Sequence, residues 1–234
     1  MNIVAFTPAR GGSVGVPRKN LRPLAGRPLL AHTVAAAQAS ASINRYIVNT
    51  EDDEIANVAR SLGVEVQPRP EDFWHDNTVQ EVDRLLVWAV SQLEEVGYAV
   101  DVVVLLYATS PLRGPDPIDA TVGLVASGKY DSALTLREDR TYLWRRVEQG
   151  DEVAPVNYSP ANRGPNQLEG WNQWAENKAV YACTRDLLVE TGCRLGGRIG
   201  SVVMDRLDSI DIDRPDDFAI AEAILSARAT SGDL

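Results

Sequence analysis

Short apolar runs alternate with amphipathic segments along this chain of 234 residues, and the alternation restricts the folds open to it. Continuous runs such as Ile3–Phe6 and Val102–Leu106 are typical of buried strands, the second of a central parallel strand covered on both faces. Between such runs, apolar residues recur on one helical face, as in Val82–Leu93. The pattern predicts one α/β domain of three layers with a mostly parallel central sheet.

The expected elements follow from the same periodicity. Strands are predicted at Ile3–Phe6, Tyr46–Val48, Val64–Val66, Val102–Leu106, Ser132–Leu136, Ala179–Cys183 and Ser201–Met204. Helices are predicted at Pro28–Ala39, Ile55–Leu62, Val82–Leu93, Ile118–Leu124 and Phe218–Ala227. Thr50 with Asp53, and Thr78 with Glu81, have the spacing of a capping box, which marks the start of the second and third helices.

Residues 137–176 break the alternation. They contain three of the five tryptophans (Trp144, Trp171 and Trp174) and several prolines, without clear helical periodicity. We interpret the segment as an insertion within the single domain 1–234. It is expected to form a wall of a substrate site, a dimer arm, or both, with the tryptophans packing in a core or an interface.

Composition excludes several classes of protein. Hydrophobic residues make up 44% of the chain, which excludes a wholly disordered protein. We expect no membrane partner, because no apolar run approaches the ~20 residues of a bilayer span, and no secretory leader is evident. The two cysteines cannot form a disulfide framework, so a cytoplasmic location is expected. A net charge of −10 argues against nucleic acid as a partner.

The charge is unevenly distributed. The first acidic residue is Glu51, and the 50 residues before it carry six cationic side chains and a charge of +6. Residues 51–234 therefore carry −16. A basic, acid-free start on an acidic chain indicates a local anion site. The alternative is chance combined with a composition in which arginine outnumbers lysine 20 to 3.

A glycine-rich turn follows the first predicted strand, in the segment Pro8–Asn20. Backbone N–H groups in such a turn can approach phosphate oxygens, and Arg10 and Lys19 flank it with positive charge. The spacing fits neither a P-loop nor the dinucleotide fingerprint. An ordinary flexible connection is the alternative interpretation, but the flanking cations favour a phosphate site.

Asp211 and Asp213 are the second candidate pair. In an extended segment, residues two apart share a face, so Ile212 would point into the core and the two carboxylates would converge. Converging carboxylates repel one another unless a cation bridges them, and Mg²⁺ favours one or two carboxylates together with substrate phosphates. The alternatives are a helix N-cap for Asp213, which precedes Arg214-Pro215, and a solvated strand end for Asp211.

Several motifs together resemble one family. They are Pro8–Leu30, Thr50–Ile55, Arg69-Pro70 with Asp76 and Thr78, Thr109–Arg113, Gly196–Gly200 and Ser209–Asp217. In this order they resemble the acylneuraminate cytidylyltransferases, which make CMP-activated sialic acids, and more distantly the CMP-ketodeoxyoctulosonate synthetases. The resemblance covers nearly the whole chain and implies a Rossmann-like nucleotidyltransferase domain that forms a homodimer.

The resemblance also implies a reaction and its site residues. A hydroxyl of an acidic sugar would attack the α-phosphate of CTP, with Mg²⁺ as cofactor, and pyrophosphate would leave. The implied catalytic residues are Arg10, Lys19, Asp211 and Asp213, the last two as metal ligands. The implied nucleotide-binding residues are Ala9, Arg10, Gly11, Gly12, Ser13, Lys19, Asn20, Arg69, Asn77, Thr78 and Gln80. The implied acceptor-binding residues are Thr109, Ser110, Arg163, Gln167 and Asn177. Tyr107 and Lys178 are two further acceptor-binding candidates that depart from the family pattern, and Tyr107 lies at the C-terminal end of a central strand, where α/β sheets place their ligands.

Three departures from the family pattern keep alternatives open. The family usually has lysine at the position of Val14, Gln-Pro at Tyr107-Ala108, and glycine at Lys178. These changes suggest either a cytidylyltransferase with an unusual acceptor (a modified sugar acid, a phosphonate or a carrier-linked substrate) or a non-catalytic nucleotide-binding protein. The intact Asp211–Asp213 pair argues against the second alternative.

Overall fold

The computed structural model describes residues 1–12, 15–74, 78–148, 150–163 and 172–231. The first elements are β1 (Ile3–Pro8), β2 (Pro23–Leu24), β3 (Arg27–Pro28), α1 (Leu29–Ala39), β4 (Arg45–Thr50), α2 (Asp53–Ser61), β5 (Glu65–Pro68), α3 (Val79–Glu95) and β6 (Val102–Leu105). The later ones are α4 (Pro115–Ala126), β7 (Ser132–Glu138), β8 (Trp144–Arg146), β9 (Val153–Pro155), β10 (Trp174–Thr184), α5 (Arg185–Thr191), β11 (Ile199–Val203) and α6 (Pro215–Ser231).

The central sheet has seven strands in the order β11-β7-β10-β6-β1-β4-β5. Within the described residues, β10 pairs antiparallel with both of its neighbours, and the other pairings in this sheet are parallel. From β1 the chain first adds β4 and β5 on one side, and it then crosses back to place β6 on the other. The strand order therefore reverses between β1 and β6, where α/β sheets form a ligand crevice at the carboxyl ends of the strands.

The two faces of β1 enter different cores, as the two-residue period of a strand requires. Ile3 and Ala5 pack in a cluster with residues of α1 and α4, whereas Val4 and Phe6 pack in one with residues of α3 and α5. Helices thus cover both faces of the sheet, and the sequence-based prediction of a three-layer α/β domain with a mostly parallel sheet is confirmed.

All seven predicted strands and all five predicted helices are present, mostly longer than expected. The periodicity missed α5, the direction of β10 and the short pairs β2–β3 and β8–β9. The capping box of Thr78 and Glu81 is confirmed. The cap predicted at Thr50 is wrong, because Thr50 is the last residue of β4 and its hydroxyl accepts the N–H of Asp52. Asp52 caps α2 instead, accepting the N–H groups of Glu54 and Ile55.

The segment predicted as an insertion joins two neighbouring antiparallel strands. β7 continues to Glu138 and β10 begins at Trp174, so the part outside the sheet is shorter than residues 137–176. Within it, β8 and β9 form a separate two-stranded sheet. Whether the segment serves as a dimer arm stays a prediction. None of the helices that the described part of the chain contains is long and apolar enough to span a membrane.

Candidate functional site

A cleft of about 550 Å³ opens at the carboxyl ends of β1 and β6, where the strand order reverses. Ten of the residues predicted for the site line it: Arg10, Lys19, Asn20, Arg69, Thr78, Tyr107, Thr109, Lys178, Asp211 and Asp213. They come from six separate segments of the chain. The topology therefore brings together residues that the sequence could connect only through the order of its motifs.

The glycine-rich turn is held in place by the acidic residues that follow β4. The N–H of Gly11 donates to Glu51 Oε1 at 2.7 Å, and Arg18 forms an ion pair with Asp52. A Cβ atom on Gly11 would overlap the Asp52 carboxylate, so only glycine fits there. Burial disfavours the Asp52 anion, but Arg18 and the N–H groups of α2 outweigh it and lower the pKa of Asp52. The first acidic residues of the chain thus anchor its basic turn.

The far end of this turn packs against the acidic pair. A Cβ atom on Gly15 would overlap the backbone carbonyl oxygen of Asp213. Lys19 Nζ donates to the carbonyl oxygen of Ile212 at 2.7 Å and lies 3.3 Å from Asp213 Oδ1. The cationic turn and the segment 211–213 are consequently in direct contact, although almost 200 residues separate them.

Asp211 and Asp213 face the same side, as the alternation predicted. Ile212 between them is fully buried, and its N–H donates to the carbonyl oxygen of Thr109 at 2.8 Å. The segment is extended without belonging to a strand of the sheet. Asp211 Oδ1 is buried and has no hydrogen-bond partner among the described residues. A buried carboxylate oxygen of this kind is free to accept from a water or a ligand, or to bind a cation.

Lys178 bridges the two carboxylates. Its Nζ lies 2.7 Å from Asp211 Oδ2 and 3.4 Å from Asp213 Oδ2. Burial disfavours the Asp213 anion, but Lys178 and Lys19 outweigh it and hold the pKa of Asp213 below its usual range. Lys178 itself has a φ of +59°, a left-handed conformation that side chains other than glycine rarely adopt. It lies where the pairing of β10 with β7 is interrupted, between Glu176 and Tyr181.

A second polar group lines the cleft and was not predicted. Arg194 forms a buried ion pair with Asp83 at 2.5 Å, and its guanidinium lies 4.5 Å from the ring centre of Tyr181. Tyr181 is edge-on to Tyr107 and donates its hydroxyl proton to Glu176. No sequence signal identifies Arg194 or Asp83, because they are 111 residues apart and belong to no shared motif.

The other predicted residues lie at or beyond the margin of the cleft. Ala9 and Ser110 are fully buried, and Gly12 and Gln80 are exposed. Arg163 is also exposed, with its guanidinium 4.6 Å from the ring centre of Tyr142. Gly11, Asn177 and these five residues do not line the cleft. Ser13, Val14, Asn77, Gln167 and Trp171 lie outside the described residues, so the roles predicted for them stay predictions.

Two buried amide side chains, those of Asn20 and Asn177, hold segments of the site in place. Asn20 donates to the carbonyl oxygen of Arg10 at 3.0 Å and so holds the segment that follows β1. The Asn177 side chain accepts from Thr135 at 2.7 Å and donates to Ser209 at 2.9 Å. Since Ser209 lies two residues before Asp211, Asn177 links β10 and β7 to the acidic pair. Its amide is therefore used within the fold, and it does not reach the cleft.

Comparisons with known proteins agree on one family. The family model described as cytidylyltransferase matches residues 4–141. The chain is 32% identical over 223 residues to N-acylneuraminate cytidylyltransferase A of Danio rerio, covering 94% of this chain and 50% of that protein. It is 30% identical over 229 residues to the CMP-N,N'-diacetyllegionaminic acid synthase of Legionella pneumophila, covering 96% and 97%. The chain thus spans about half the fish protein and nearly all of the bacterial one.

Solved structures share the fold. A CMP:2-keto-3-deoxy-manno-octonic acid synthetase in complex with CTP aligns with a TM-score of 0.70, covering 97% of this chain and 100% of the other. A 4-diphosphocytidyl-2C-methyl-D-erythritol synthase aligns with a TM-score of 0.72, covering 96% and 98%. Both are 16% identical in sequence, so the likeness concerns the fold alone.

Proposed function

Because this chain belongs to the cytidylyltransferase family, we propose that it transfers CMP from CTP to a hydroxyl of a sialic-acid-like or related ulosonic acid. One observation carries the proposal. The cleft at the strand reversal places a cationic turn with Arg10 and Lys19 against the acidic pair Asp211 and Asp213. Relatives named for acylneuraminate and legionaminic acid support the acceptor class. The two alternatives gain no support from these relatives.

The proposed reaction is a nucleotidyl transfer. The acceptor hydroxyl oxygen bonds to the α-phosphorus of CTP, the bond from that phosphorus to the α–β bridging oxygen breaks, and pyrophosphate leaves with the bonding electrons. The hydroxyl proton passes to solvent. Such chemistry depends on positioning and on charge neutralisation. Arg10 and Lys19 would bind the triphosphate and neutralise the charge that develops on the leaving pyrophosphate.

Mg²⁺ is the proposed cofactor, and the residues present fit it. Asp211 and Asp213 provide two converging carboxylates, and the buried Asp211 Oδ1 lacks a partner among the described residues. The described residues contain no group of three or more His, Cys, Asp or Glu side chains placed to hold a metal ion. A carboxylate pair completed by substrate phosphates is a typical arrangement for Mg²⁺. When bound, the ion would neutralise phosphate charge and align the triphosphate.

The acceptor would bind at the opposite end of the cleft, beside Tyr107, Tyr181 and Arg194. Arg194 supports an acidic acceptor, because its buried Nε has no hydrogen-bond partner among the described residues. A guanidinium is well suited to a sugar carboxylate, which it can bind through two parallel hydrogen bonds.

We also propose that the protein is a homodimer and that it is located in the cytoplasm. Leu143, Trp144 and Val153 are exposed on or beside the β8–β9 sheet. Large apolar side chains concentrated on one small element are typical of an interface, which supports a homodimer. Cys183 and Cys193 are free thiols, and this supports a reducing cytoplasm.

A pyrophosphate-release screen tests the proposed function. The purified protein is given CTP, UTP, ATP or GTP with Mg²⁺ and a panel of eight- and nine-carbon α-keto sugar acids. We expect release with CTP and a sugar acid together, and none with either alone. Failure with every acid on the panel would contradict the proposal.

Asp211→Asn provides the matched variant for this screen. Because it removes one charge from the site and keeps the side-chain shape, we expect kcat to fall by roughly 100-fold or more. Asp205→Asn is the control, since Asp205 is exposed and does not line the cleft. An Asp211→Asn enzyme as active as Asp205→Asn would refute the role of Asp211.

A further inference from the structure

Lys178 occupies the place where the proposed metal ion would bind. Its ammonium contacts Oδ2 of Asp211 and Oδ2 of Asp213, while Lys19 contacts Oδ1 of Asp213. Three of the four carboxylate oxygens therefore already face an ammonium group. The remaining one, Asp211 Oδ1, has no partner among the described residues. A divalent ion bound to both carboxylates would have to displace or share at least one of these contacts.

The charges of the group lead to the same conclusion. Two carboxylates and two ammonium groups sum to zero, so the metal-free site attracts a free divalent ion only weakly. Without Lys178 the group would carry −1. A nucleotide triphosphate brings negative charge of its own, and its phosphates supply metal ligands that the protein lacks.

The backbone shows that the position of Lys178 is unusual. Its φ of +59° is one that glycine adopts freely and that a lysine adopts only with strain. The ion pairs with both carboxylates are the contacts of the side chain that can offset this strain. The lysine thus acts on the acidic pair and is not a passive surface residue.

We propose that Lys178 is a tethered cation that holds Asp211 and Asp213 together without metal and makes divalent-ion binding depend on the nucleotide. The ion then enters with CTP and is not resident in the free protein. When it binds, the Lys178 ammonium is displaced from Asp211 towards the phosphates or the acceptor carboxylate. This inference rests on the metal site in the proposed function and adds a specific role for one residue of this chain.

Binding of Mn²⁺ to the nucleotide-free protein tests the inference directly. Free Mn²⁺ is measured by electron paramagnetic resonance during titration of the wild type, Lys178→Met and Lys178→Gly. We expect both variants to bind one Mn²⁺ more tightly than the wild type, by on the order of tenfold or more. Adding Asp211→Asn to Lys178→Met should abolish the gain. Equal or weaker binding by both variants would overturn the proposal.

Two control variants test whether the effect depends on the charge at position 178. Lys129→Met removes an exposed lysine that stacks on Tyr130 outside the cleft, and it should match the wild type. Lys178→Arg keeps a cation at the site and should also bind weakly, because the effect depends on charge. Tight binding by Lys178→Arg, or low-micromolar binding by the nucleotide-free wild type, would contradict the inference even if the other variants failed to fold.

Thermal unfolding, measured once in EDTA and once in EDTA-free buffer with added Mn²⁺, gives a second measurement. Lys178→Met removes the cation that pairs with both carboxylates, so without metal the Tm of this variant should fall below that of the wild type. Added Mn²⁺ should then raise the Tm of the variant by more than it raises the Tm of the wild type. Because no nucleotide or acceptor is present, neither measurement depends on catalysis. A protein that shows these shifts but releases no pyrophosphate would contradict the proposed function and leave the metal competition established.

Discussion

At the scale of single residues, the site is a set of opposite charges already in contact. Lys19, Lys178, Asp211 and Asp213 are linked by distances of 2.7–3.4 Å. In the proposed reaction, a lysine of this group that binds a phosphate would exchange a carboxylate partner for it. Arg194 and Asp83 form a second pair of opposite charges. Because both side chains are buried, breaking this pair should change the stability of the protein measurably.

Loss of Arg194 alone should destabilise the protein strongly. Arg194→Met leaves the buried Asp83 carboxylate without its cation, which typically costs about 3–5 kcal/mol. Asp83→Asn combined with Arg194→Met should recover much of the loss, because no charge is then buried alone. Chemical denaturation of the two single variants and the double variant measures this coupling. Additive effects in this cycle would show that the pair does not act as a unit.

At the scale of elements, the start of α2 holds the glycine-rich turn in place. Asp52 caps the helix, binds Arg18 and lies against Gly11, so one carboxylate fixes the helix start and the turn together. The sequence motif Thr50–Ile55 located this junction correctly, but it placed the cap two residues too early. The error arose because the spacing of a capping box cannot show that the preceding strand extends through Thr50.

The charge of Asp52 should stabilise the protein at neutral pH and not in acid. Its pKa is lower in the folded state than the usual value near 3.9, so the contribution is complete above that value and is lost as pH falls through the lower folded pKa. Asp52→Asn keeps a capping side chain and removes the charge. We expect it to be less stable by roughly 0.3–1 kcal/mol at pH 7.

Urea denaturation of the wild type and Asp52→Asn from pH 7 to pH 2.5 measures this dependence. The difference in free energy of unfolding should shrink as the pH falls below the usual aspartate pKa near 3.9. A difference that stays constant down to pH 2.5 would show that the charge of Asp52 is not involved.

The elements that the sequence did not predict share a physical cause. Periodicity reports which face of a strand is buried, and it carries no information on whether the neighbouring strands run parallel or antiparallel. The antiparallel direction of β10 therefore could not be predicted. The helix α5 has only seven residues, too few for an apolar stripe to be recognised, although Thr184 caps its start and Gly192 ends it with a φ of +66°.

At the scale of the whole molecule, the uneven charge of the chain has a structural explanation. The acid-free first 50 residues include β1, the glycine-rich turn, α1 and β4. The strands β1 and β4 are neighbours on one side of the strand reversal. The acidic remainder contributes Glu51 and Asp52, which anchor that turn, and the pair Asp211 and Asp213 opposite it. The net charge of −10 thus combines a basic first 50 residues, which contribute one wall of the cleft, with an acidic remainder.

Five of the eleven residues predicted to bind the nucleotide and three of the seven predicted to bind the acceptor line the cleft, and their roles stay predictions. Arg10 and Tyr107 closely follow the parallel strands β1 and β6, and the carboxyl ends of parallel strands meet at one edge of the sheet. The ion pair between Arg194 and Asp83 joins residues that are 111 positions apart, so no local motif of the sequence indicates it. Of the residues predicted to bind the acceptor, Ser110 and Asn177 are buried and Arg163 is exposed, and none of the three lines the cleft.

Mass spectrometry of the reaction product tests the central claim most directly. The protein is incubated with CTP, Mg²⁺ and a nine-carbon α-keto sugar acid, and the nucleotide products are identified. We predict a new species in which CMP is joined to the sugar acid through a phosphodiester, formed in equal amount with pyrophosphate. Conversion of CTP to CMP without any sugar adduct, or recovery of intact CTP with every eight- and nine-carbon acid offered, would contradict the account.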